Sequence, residues 1–587
     1  MEKLTYILGN ELAEAFAEAG YDPAGVVVKV SDRPDLCEFQ SSAAMPLAKT
    51  AHKAPLAIAE DVKAACDRMG RSFEIEAVRP GFLNMTVKPE FLADYIAQMA
   101  KDSKCGIPEA EEAKKMIVDY GGPNVAKPLH VGHLRAAVIG ESIKRILRAV
   151  GHDVLGDVHL GDWGLQIGLI IAELRVRNPE LPYFDENADT YPEEAPFTIS
   201  ELEEIYPFAS AKSKTDEAFR EEALKATSEL QSGRKGYRAL WQKIMEISTR
   251  DLKKNYERLD VHFDLWKGES DVQEYIPGLI ADLEERGIAK TDQGALIVDV
   301  SEEGDKKEVP PCIIRKSDGA ALYATTDIAT IYERMKLYHP DKIIYVVDKR
   351  QAMHFVQVFR TVRKAGITDE GTELVHVGFG TMNGKDGKPF KTRDGGVMRL
   401  ESLLNEIEEG METKIRDNKN VREEDAKKTA EMVALSAVKY GDLSNQAAKD
   451  YVFDTEKFTS FEGNTGPYIL YTIVRCKSIL ERAGISEEEA LNYSFRTPSG
   501  EAEKALMLDL ADFGPVVADA ARELAPHRIC AYIYRLSNSF NHFYHGTRIL
   551  AEEDASQKNY YLALLALTEK VLLCGINLLG FSAPDHM

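Results

Sequence analysis

The chain has 587 residues, a hydrophobic fraction of 44% and a formal net charge of −23 at pH 7. This length predicts roughly three to five domains, and the acidic charge argues against indiscriminate nucleic-acid binding while permitting a local basic surface. No apolar run is long enough for a membrane span, and the N-terminus lacks the pattern of a secretory signal. Seven scattered cysteines predict reduced thiols in a cytoplasm, with neither a disulfide framework nor a structural zinc site.

The first predicted domain, residues 1–105, is of α+β type. Its predicted elements are helices at 4–19 and 45–65, a strand at 26–30, and paired strands at 73–78 and 82–87. The turn between the paired strands falls at Pro80-Gly81. No pattern here indicates catalytic chemistry, so an accessory role and a purely structural role both remain open.

The segment from 116 to 162 contains the clearest pattern in the chain. A short apolar run at 116–120 predicts a buried strand, which the breaker Gly121-Gly122-Pro123 ends. Apolar residues at helical spacing up to Val150 and a further apolar run at 154–158 complete a strand–helix–strand unit. Such a unit predicts a parallel sheet, whose ligands bind beyond the C-terminal ends of the strands.

Two histidines, His130 and His133, lie where this helix should begin. Side chains three residues apart on a helix face the same way, and the exposed N–H groups of a helix start attract an anion. Gly132 lies between them and would let a flat ring approach the backbone. The pattern predicts a nucleoside triphosphate site. The alternatives are ordinary helix-start histidines or half a zinc site, and no cysteine or third histidine at ligand spacing supports the latter.

Two carboxylates are candidates for recognising a cationic substrate. Asp119 ends the first strand of this unit. Asp327 follows Tyr323 by four residues, so the side chains of Tyr323 and Asp327 would face the same way at a helix start. A carboxylate binds a guanidinium through paired hydrogen bonds that an ammonium cannot copy. The alternatives, which these residues alone favour, are that Asp119 caps the Gly121 loop and Asp327 caps a helix.

A second chemical stretch runs from Gly384 to Gly396. Its basic residues are Lys385, Lys388, Lys391 and Arg393, and the flanking glycines predict a mobile loop that can close on phosphates. It is not a Walker loop, because Asp386 replaces the required Ser or Thr. A solvated hairpin is the alternative.

The rest of the chain separates into helical and sheet-forming parts. The predicted elements are a charged, mostly helical insertion at about 174–300, strands at 343–347 and 374–379, a helix at 356–362, and only helices after 401, including 464–480 and 529–550. The helix at 529–550 carries aromatic residues interleaved with Asn and Arg. Such side chains can stack bases and read their edges, although a stripe of this kind is more often half core and half surface.

The residues from Pro123 to Arg135 closely resemble the signature of class I aminoacyl-tRNA synthetases, specifically the arginyl-tRNA synthetases. The stretches 160–166, 35–45, 461–468 and the ending 578–580 are also similar to that family. Lys388–Thr392 resembles the family's KMSKS loop loosely, since Pro389-Phe390 replaces Met-Ser, and in this family a lysine before the histidine pair, here Lys127, is thought to compensate.

The resemblance implies the following organisation: an N-terminal α+β accessory tRNA-binding domain at 1–105, an α/β Rossmann-like parallel-sheet catalytic domain at 106–400 with a helical insertion at about 174–300, a linking helical segment at 401–454, and a C-terminal all-α anticodon-binding domain at 455–587. It implies an arginine–tRNA ligase that uses ATP, with Mg²⁺, to form arginyl-adenylate before transferring arginine to the 3′-terminal adenosine of tRNA. We expect a cytoplasmic monomer without membrane contact, in which activation waits for tRNA.

The resemblance also assigns roles to particular residues. The implied sites are catalytic His130, His133, Lys127, Lys391 and Arg393; arginine-binding Asp119, Asn124, Tyr323, Asp327 and Gln351; ATP-binding His130, Gly132, His133, Lys388 and Lys391; and tRNA-binding Tyr468, Arg535, Asn541 and Tyr544. Two other functions stay open here. A small-molecule nucleotidyltransferase can share the histidine pair, and a non-catalytic tRNA-binding relative would be expected to lose one histidine.

Overall fold

The structure, a computed structural model, describes the chain apart from residue 128 and residues 318–321, 389–397 and 418–420. The chain forms two compact units. The first contains Met1–Ala110, Phe461–Leu578 and Ser582–Met587, and the second contains Glu111–Ser460 with Leu579–Phe581.

The N-terminal part of the first unit packs helices on a four-stranded antiparallel sheet of order β1-β2-β4-β3. Its elements are α1 (Leu4–Glu18), β1 (Lys29–Val30), β2 (Phe39–Ser41), α2 (Ala44–Leu47), α3 (Pro55–Met69), β3 (Phe73–Val78), β4 (Phe82–Val87) and α4 (Pro89–Lys101). The paired strands β3 and β4 match the prediction. The predicted strand at 26–30 is shorter, and the predicted helix at 45–65 is divided, because Pro55 starts a new helix and disfavours helical geometry in the residue before it.

The second unit is built on a four-stranded parallel sheet. Its elements in chain order are β5 (Lys115–Tyr120), α5 (Val131–Ala149), β6 (Asp153–Asp157), α6 (Leu165–Arg177), α7 (Ile199–Lys212), α8 (Glu217–Gln231), α9 (Lys235–Arg258), α10 (Ile276–Glu285), β7 (Ala289–Asp292), β8 (Ala295–Val298), β9 (Cys312–Arg315), α11 (Tyr323–Tyr338), β10 (Lys342–Asp348), α12 (Ala352–Lys364), β11 (Glu373–Phe379), β12 (Met382–Asn383), α13 (Leu400–Asp417), α14 (Glu423–Leu443), β13 (Tyr451–Val452) and α15 (Thr455–Phe458). The sheet order is β11-β10-β5-β6, and every pairing in it is parallel. The predicted strand–helix–strand unit is therefore confirmed as β5, α5 and β6.

The central strand β10 shows why this sheet forms. Ile343, Ile344 and Val346 are all buried, as expected for a parallel strand covered on both faces. On one face, Ile343 joins a core cluster with Ile331 of α11 and Val358 of α12. The helices cover the faces of the sheet, so loops and polar side chains lie at the carboxyl ends of the strands.

One prediction about the second unit omits a small sheet, and another needs correction. The insertion is mostly helical, but a three-stranded antiparallel sheet of order β7-β8-β9 follows α10. The region after 401 is not purely helical, because β13 pairs in parallel with β12. A strand of two residues is too short to produce the alternation that predicts strands.

The C-terminal part of the first unit is helical throughout its described elements. These are α16 (Gly466–Ala483), α17 (Glu487–Leu491), α18 (Glu501–Ala511), α19 (Phe513–Glu523), α20 (His527–Gly546) and α21 (Ala555–Leu578). The expectation that no segment could span a membrane is corrected for α21, which is long and apolar enough by length and composition. Because 78% of its most apolar window is buried inside the protein, α21 has the character of a core helix.

Candidate active site

The predicted histidine pair lies at the N-terminal end of α5, beyond the carboxyl end of β5. His130 is the N-cap residue, and its Nδ1 accepts a hydrogen bond from the amide of Gly132 at 3.0 Å. The Nδ1 of His133 accepts from the amide of His130 at 3.2 Å, and the two rings stack with their centroids 3.9 Å apart. Because both Nδ1 atoms are acceptors, a neutral ring carries its proton on Nε2. Each histidine therefore offers one Nε2–H donor.

Both imidazoles are held in the neutral form. Burial, followed by repulsion from His130 and Lys127, lowers the pKa of His133 to about 3. Burial and then repulsion from Lys127 also lower the pKa of His130. At neutral pH the pair thus acts through directed hydrogen bonds, and Lys127 supplies the positive charge beside it.

The loop between β5 and α5 is fastened to the segment that follows β6. Asn124 and Gly161 form an isolated parallel bridge, in which Val125 donates to the carbonyl of Gly161 at 3.0 Å and Gly161 donates to that of Pro123 at 3.1 Å. A Cβ added to Gly161 would lie 2.2 Å from Asn124 Oδ1, so a larger residue at 161 would force the Asn124 amide to move. The stretch 160–166, which also resembles this family, therefore contacts the Asn124 loop directly.

A buried arginine that the sequence analysis did not single out as a site residue links α5 to the second loop. Arg135 Nε pairs with Asp442 at 3.0 Å, and its Nη1 donates to the carbonyl of Gly380 at 2.7 Å, just before β12. Asp442 also accepts from the hydroxyl of Tyr451 at 2.8 Å, in β13. The root of the predicted phosphate loop is thereby tied to the helix that carries the histidines.

The described part of that second loop is a tight turn. The amide of Gly384 donates to the carbonyl of Lys388 at 2.8 Å, and the amide of Lys388 donates to Asp386 at 3.1 Å. Lys388 is exposed, whereas Lys385 pairs with Asp454 at 3.2 Å and with Glu456 at 3.1 Å. The other two predicted phosphate ligands, Lys391 and Arg393, lie outside the described residues.

Asp119 is part of a buried ion cluster. Nη2 of Arg334, on α11, lies 2.6 Å from a carboxylate oxygen of Asp119 and 2.6 Å from one of Asp157. The Arg334 Nη1 donates to the hydroxyl of Tyr345 at 3.0 Å. Two carboxylates share one guanidinium, so the cluster holds one net negative charge when both are ionised. The carboxylate contact is thus with Arg334, not the cap on the Gly121 loop that was the alternative.

Asp327 occupies a more open position. The helix α11 begins at Tyr323, so Asp327 lies in its second turn and the helix-cap alternative is wrong. Its Oδ2 lies 2.5 Å from Nε2 of His354 on α12, and Gln351 is exposed at the turn that precedes α12. Tyr323 is 72% exposed. Asp327, Tyr323 and Gln351 thus all remain accessible.

Glu269, which the sequence analysis missed, adds negative charge beside Asp327. It begins a short 3₁₀ turn whose Ser270 donates to the buried Asp162 through both its amide, at 3.0 Å, and its hydroxyl, at 2.6 Å. Burial, followed by repulsion from Asp162 and Asp327, raises the pKa of Glu269 to about 7. A cation from a ligand would therefore be favoured beside Glu269.

Comparisons with known proteins identify the family. Residues 96–455 match the model described as tRNA synthetases class I (R), catalytic domain, residues 469–587 match the DALR anticodon binding domain, and residues 2–87 match the arginyl tRNA synthetase N terminal domain. An arginine–tRNA ligase of Agathobacter rectalis is 58% identical, and one of Alkaliphilus oremlandii is 52% identical, each alignment covering 100% of both chains. The chain belongs to the arginyl-tRNA synthetase family. It charges tRNA with arginine, and ATP is its co-substrate.

Solved structures show the same fold. The arginyl-tRNA synthetase of Plasmodium falciparum superposes with a TM-score of 0.82 at 23% identity, covering 100% of this chain and 99% of that one. The Thermus thermophilus enzyme gives 0.78 at 24% identity and covers 100% of both chains. The predicted class I fold, with its parallel-sheet catalytic region and helical C-terminal region, is confirmed.

The helical part of the first unit carries the residues that the arginyl-tRNA synthetase resemblance assigned to tRNA. Tyr468 donates to Asn538 at 2.7 Å and accepts from the amide nitrogen of Asn541 at 2.8 Å. Arg475, which the sequence analysis missed, lies 2.5 Å from Asn541 Oδ1 and 5.1 Å from the ring centroid of Tyr544. Tyr468, Asn541 and Tyr544 are therefore brought together on one partly exposed surface of α16 and α20.

Arg535, the fourth candidate, is in a different environment on α20. Its Nε lies 2.9 Å from Asp509, and its Nη2 pairs with Asp512, while the side chain stays 50% exposed. Two carboxylates neutralise this guanidinium, so it offers phosphate less charge than an unpaired arginine. A sequence pattern could not distinguish Arg535 from Arg475, since both lie among aromatic residues in helices.

Proposed function

We propose that the chain makes arginyl-tRNA in two steps, and the stacked, neutral pair His130 and His133 is the observation that carries this proposal. An oxygen of the arginine α-carboxylate attacks the α-phosphorus of ATP, the bond to the β-phosphate breaks, and pyrophosphate leaves. A ribose hydroxyl of the terminal tRNA adenosine then attacks the arginyl carbonyl, and AMP leaves. Positioning and charge stabilisation account for such phosphoryl chemistry without a covalent enzyme intermediate.

The ATP site follows from the donors around α5. The Nε2–H groups of His130 and His133 donate to oxygens of the transferring phosphate, where donors already in place need no reorganisation. Gly132, exposed on the first turn of α5, gives the nucleotide ring access to the backbone. Lys127, Lys388, Lys391 and Arg393 bind the leaving pyrophosphate, and Mg²⁺ enters as part of the ATP substrate.

The arginine site follows from the distribution of carboxylates. Asp327 pairs with the substrate guanidinium, with Tyr323 beside it on the same helix face. Asn124 and Gln351 bind the α-amino and carboxylate end. Asp119 contributes negative charge from its cluster with Arg334, which holds the carboxylate in place.

The remaining assignments concern tRNA and the state of the protein. Residues 1–105 and 455–587 bind tRNA, with Tyr468, Asn541 and Tyr544, and to a smaller degree Arg535, contacting its bases. Residues 106–400 are the catalytic domain, with their insertion at about 174–300, and 401–454 link it to the helical domain. The chain acts as a cytoplasmic monomer, in keeping with its seven scattered cysteines.

The decisive experiment is ATP–pyrophosphate exchange, measured with each amino acid in turn. For arginine it is run without RNA, with cognate tRNA, and with tRNA whose terminal ribose cannot react. We expect exchange with arginine alone among the amino acids, and only when either tRNA is present. His133→Ala should slow it by orders of magnitude, whereas the control His586→Ala, at an exposed position, should not. Near-normal exchange by the His130→Ala and His133→Ala proteins would refute the role of the pair.

A further inference from the structure

The loop that joins β5 to α5 contains an unusual backbone conformation. Ala126 has a φ of +59°, in the left-handed region, and is only 1% exposed. A residue with a Cβ rarely occupies this region, because the side chain crowds the neighbouring carbonyl oxygen. Ala126 directly precedes Lys127 and follows Asn124 by two residues, so its conformation sets the direction of both.

Helix α9 holds this loop at two points. The hydroxyl oxygen of Ser248 accepts a hydrogen bond from the amide of Ala126 at 3.0 Å, and Ser248 is 2% exposed. Two turns further along α9, the buried Tyr256 donates its hydroxyl to the carbonyl of Gly121. The left-handed Gly121 leaves room for that hydroxyl, since an added Cβ would lie 3.3 Å from it. Helix α9 lies in the insertion, and its contact with the loop was not foreseen from the sequence.

We propose that Ser248 is a positioning residue for arginine activation, because its hydroxyl holds Ala126 in the left-handed conformation that directs Asn124 and Lys127 into the site. The proposal rests on the proposed function, which gives Asn124 to arginine and Lys127 to pyrophosphate. Without this acceptor, the buried amide of Ala126 loses its partner. The peptide then relaxes toward negative φ, which turns the following residue away from the phosphates. Ser248 itself touches no substrate.

A double-mutant cycle between Ser248 and Ala126 tests this. Ser248→Ala should lower kcat of tRNA-dependent, arginine-specific exchange about tenfold, which corresponds to one buried hydrogen bond. Glycine adopts the left-handed conformation freely, so Ser248→Ala in an Ala126→Gly background should lower kcat about threefold or less. A serine that merely stabilised α9 would cause the same loss in both backgrounds.

The matched control is Ser436→Ala, which removes another buried helical hydroxyl, one that bonds within its own helix α14. Its kcat should stay within about twofold of the parent, and thermal melts should show that every variant is folded at the assay temperature. If Ser248→Ala does not fold, Ser248→Cys, whose sulfur is a weak acceptor, should give a smaller loss with the same dependence on Ala126→Gly.

The outcomes separate the two proposals. Equal kcat for the parent and Ser248→Ala, or equal losses in the parent and Ala126→Gly backgrounds, would overturn the positioning role and leave the proposed function intact. Absence of arginine-dependent exchange in the parent protein with cognate tRNA would instead overturn the proposed function, and the positioning role with it.

Discussion

Two acidic sites at the same helix, α11, differ in how far a cation of the protein balances their negative charge. Asp119 and Asp157 lie at the ends of neighbouring strands and both pair with Arg334, with side chains 13% and 2% exposed. Asp327, two turns earlier on α11, faces His354 and is 27% exposed. The first site is closed around an arginine, whereas the second is more open and lies against an imidazole.

This difference indicates that the Asp119 cluster stabilises the fold, whereas Asp327 is available to recognise a substrate. Arginine keeps its charge under all ordinary conditions, so Arg334 balances one of the two carboxylate charges and holds both groups in place. Asp327 lies against the imidazole of His354 and is more exposed, so its carboxylate is accessible to a ligand. A substrate guanidinium therefore finds its strongest available partner at Asp327, while the Asp119 cluster chiefly fixes α11 against the sheet.

Breaking the closed site should produce the largest effect. Arg334→Met leaves Asp119 and Asp157 buried without their cation, which should lower the free energy of unfolding by about 3–5 kcal/mol. The measurement is urea denaturation followed by circular dichroism. Asp327→Asn serves as its control and should change that free energy by less than about 1 kcal/mol. Similar stabilities for Arg334→Met and the parent protein would show that the cluster is not part of the scaffold.

Neutralising the open site should affect the substrate instead. Asp327→Asn keeps the size of the side chain and removes its charge, and loss of a charge-assisted pair is worth about 2–4 kcal/mol. We expect arginine kcat/KM to fall about 30- to 1000-fold while the KM for ATP is nearly unchanged. Asp119→Asn should lower arginine kcat/KM less and stability more. If Asp119→Asn lowered arginine kcat/KM more than Asp327→Asn did, Asp119 and not Asp327 would be the main partner of the substrate guanidinium.

A smaller effect should appear in the pH dependence of stability. The unfolded chain protonates His133 below about pH 6.5, whereas the folded imidazole resists protonation down to a pKa of about 3. The unfolded state therefore binds more protons in this window, and the contribution to stability is present above pH 6.5 and is lost as pH falls.

Urea denaturation at pH 7 and pH 5 measures this contribution. Between these two values it is at most about 2 kcal/mol for His133. His133→Asn, which cannot titrate but keeps an acceptor for the amide of His130, should reduce the pH dependence by that amount. An identical pH dependence in parent and variant would place His133 in a more solvated environment than the structure gives it.

The features predicted correctly from the sequence are those that depend on neighbouring residues in the chain. The unit β5–α5–β6 and the helix start at His130 follow from spacing of apolar residues and breakers over a few dozen positions. The pairing of Asp119 with Arg334, of Asp327 with His354 and of Arg135 with Asp442 joins residues far apart in the chain, and only the tertiary fold selects these partners. For the same reason, a carboxylate that recognises substrate and one that is part of the scaffold looked alike in the sequence.

The helical surface offers a similar comparison, between a hydrogen-bond network and an arginine balanced by carboxylates, and it predicts the smallest effect. Asn541 lies on the partly exposed surface with Tyr468 and Arg475, whereas Arg535 is neutralised by Asp509 and Asp512. Contacts that stack or read one base are worth about 1–3 kcal/mol. Asn541→Ala should therefore raise the KM for tRNA about tenfold in steady-state aminoacylation, with the KM for arginine and ATP unchanged.

Arg535→Ala is the matched comparison on the same helix. Because its charge is already balanced, its removal should raise the KM for tRNA by about threefold or less. It should instead lower stability, since Asp509 and Asp512, whose pKa values burial raises, lose their cation. If Arg535→Ala weakened tRNA binding as much as Asn541→Ala did, while leaving stability unchanged, its guanidinium would have to exchange the two carboxylates for phosphate when tRNA binds. In that case, an ion pair seen in the free protein would not show whether a residue on this surface stabilises the fold or binds tRNA.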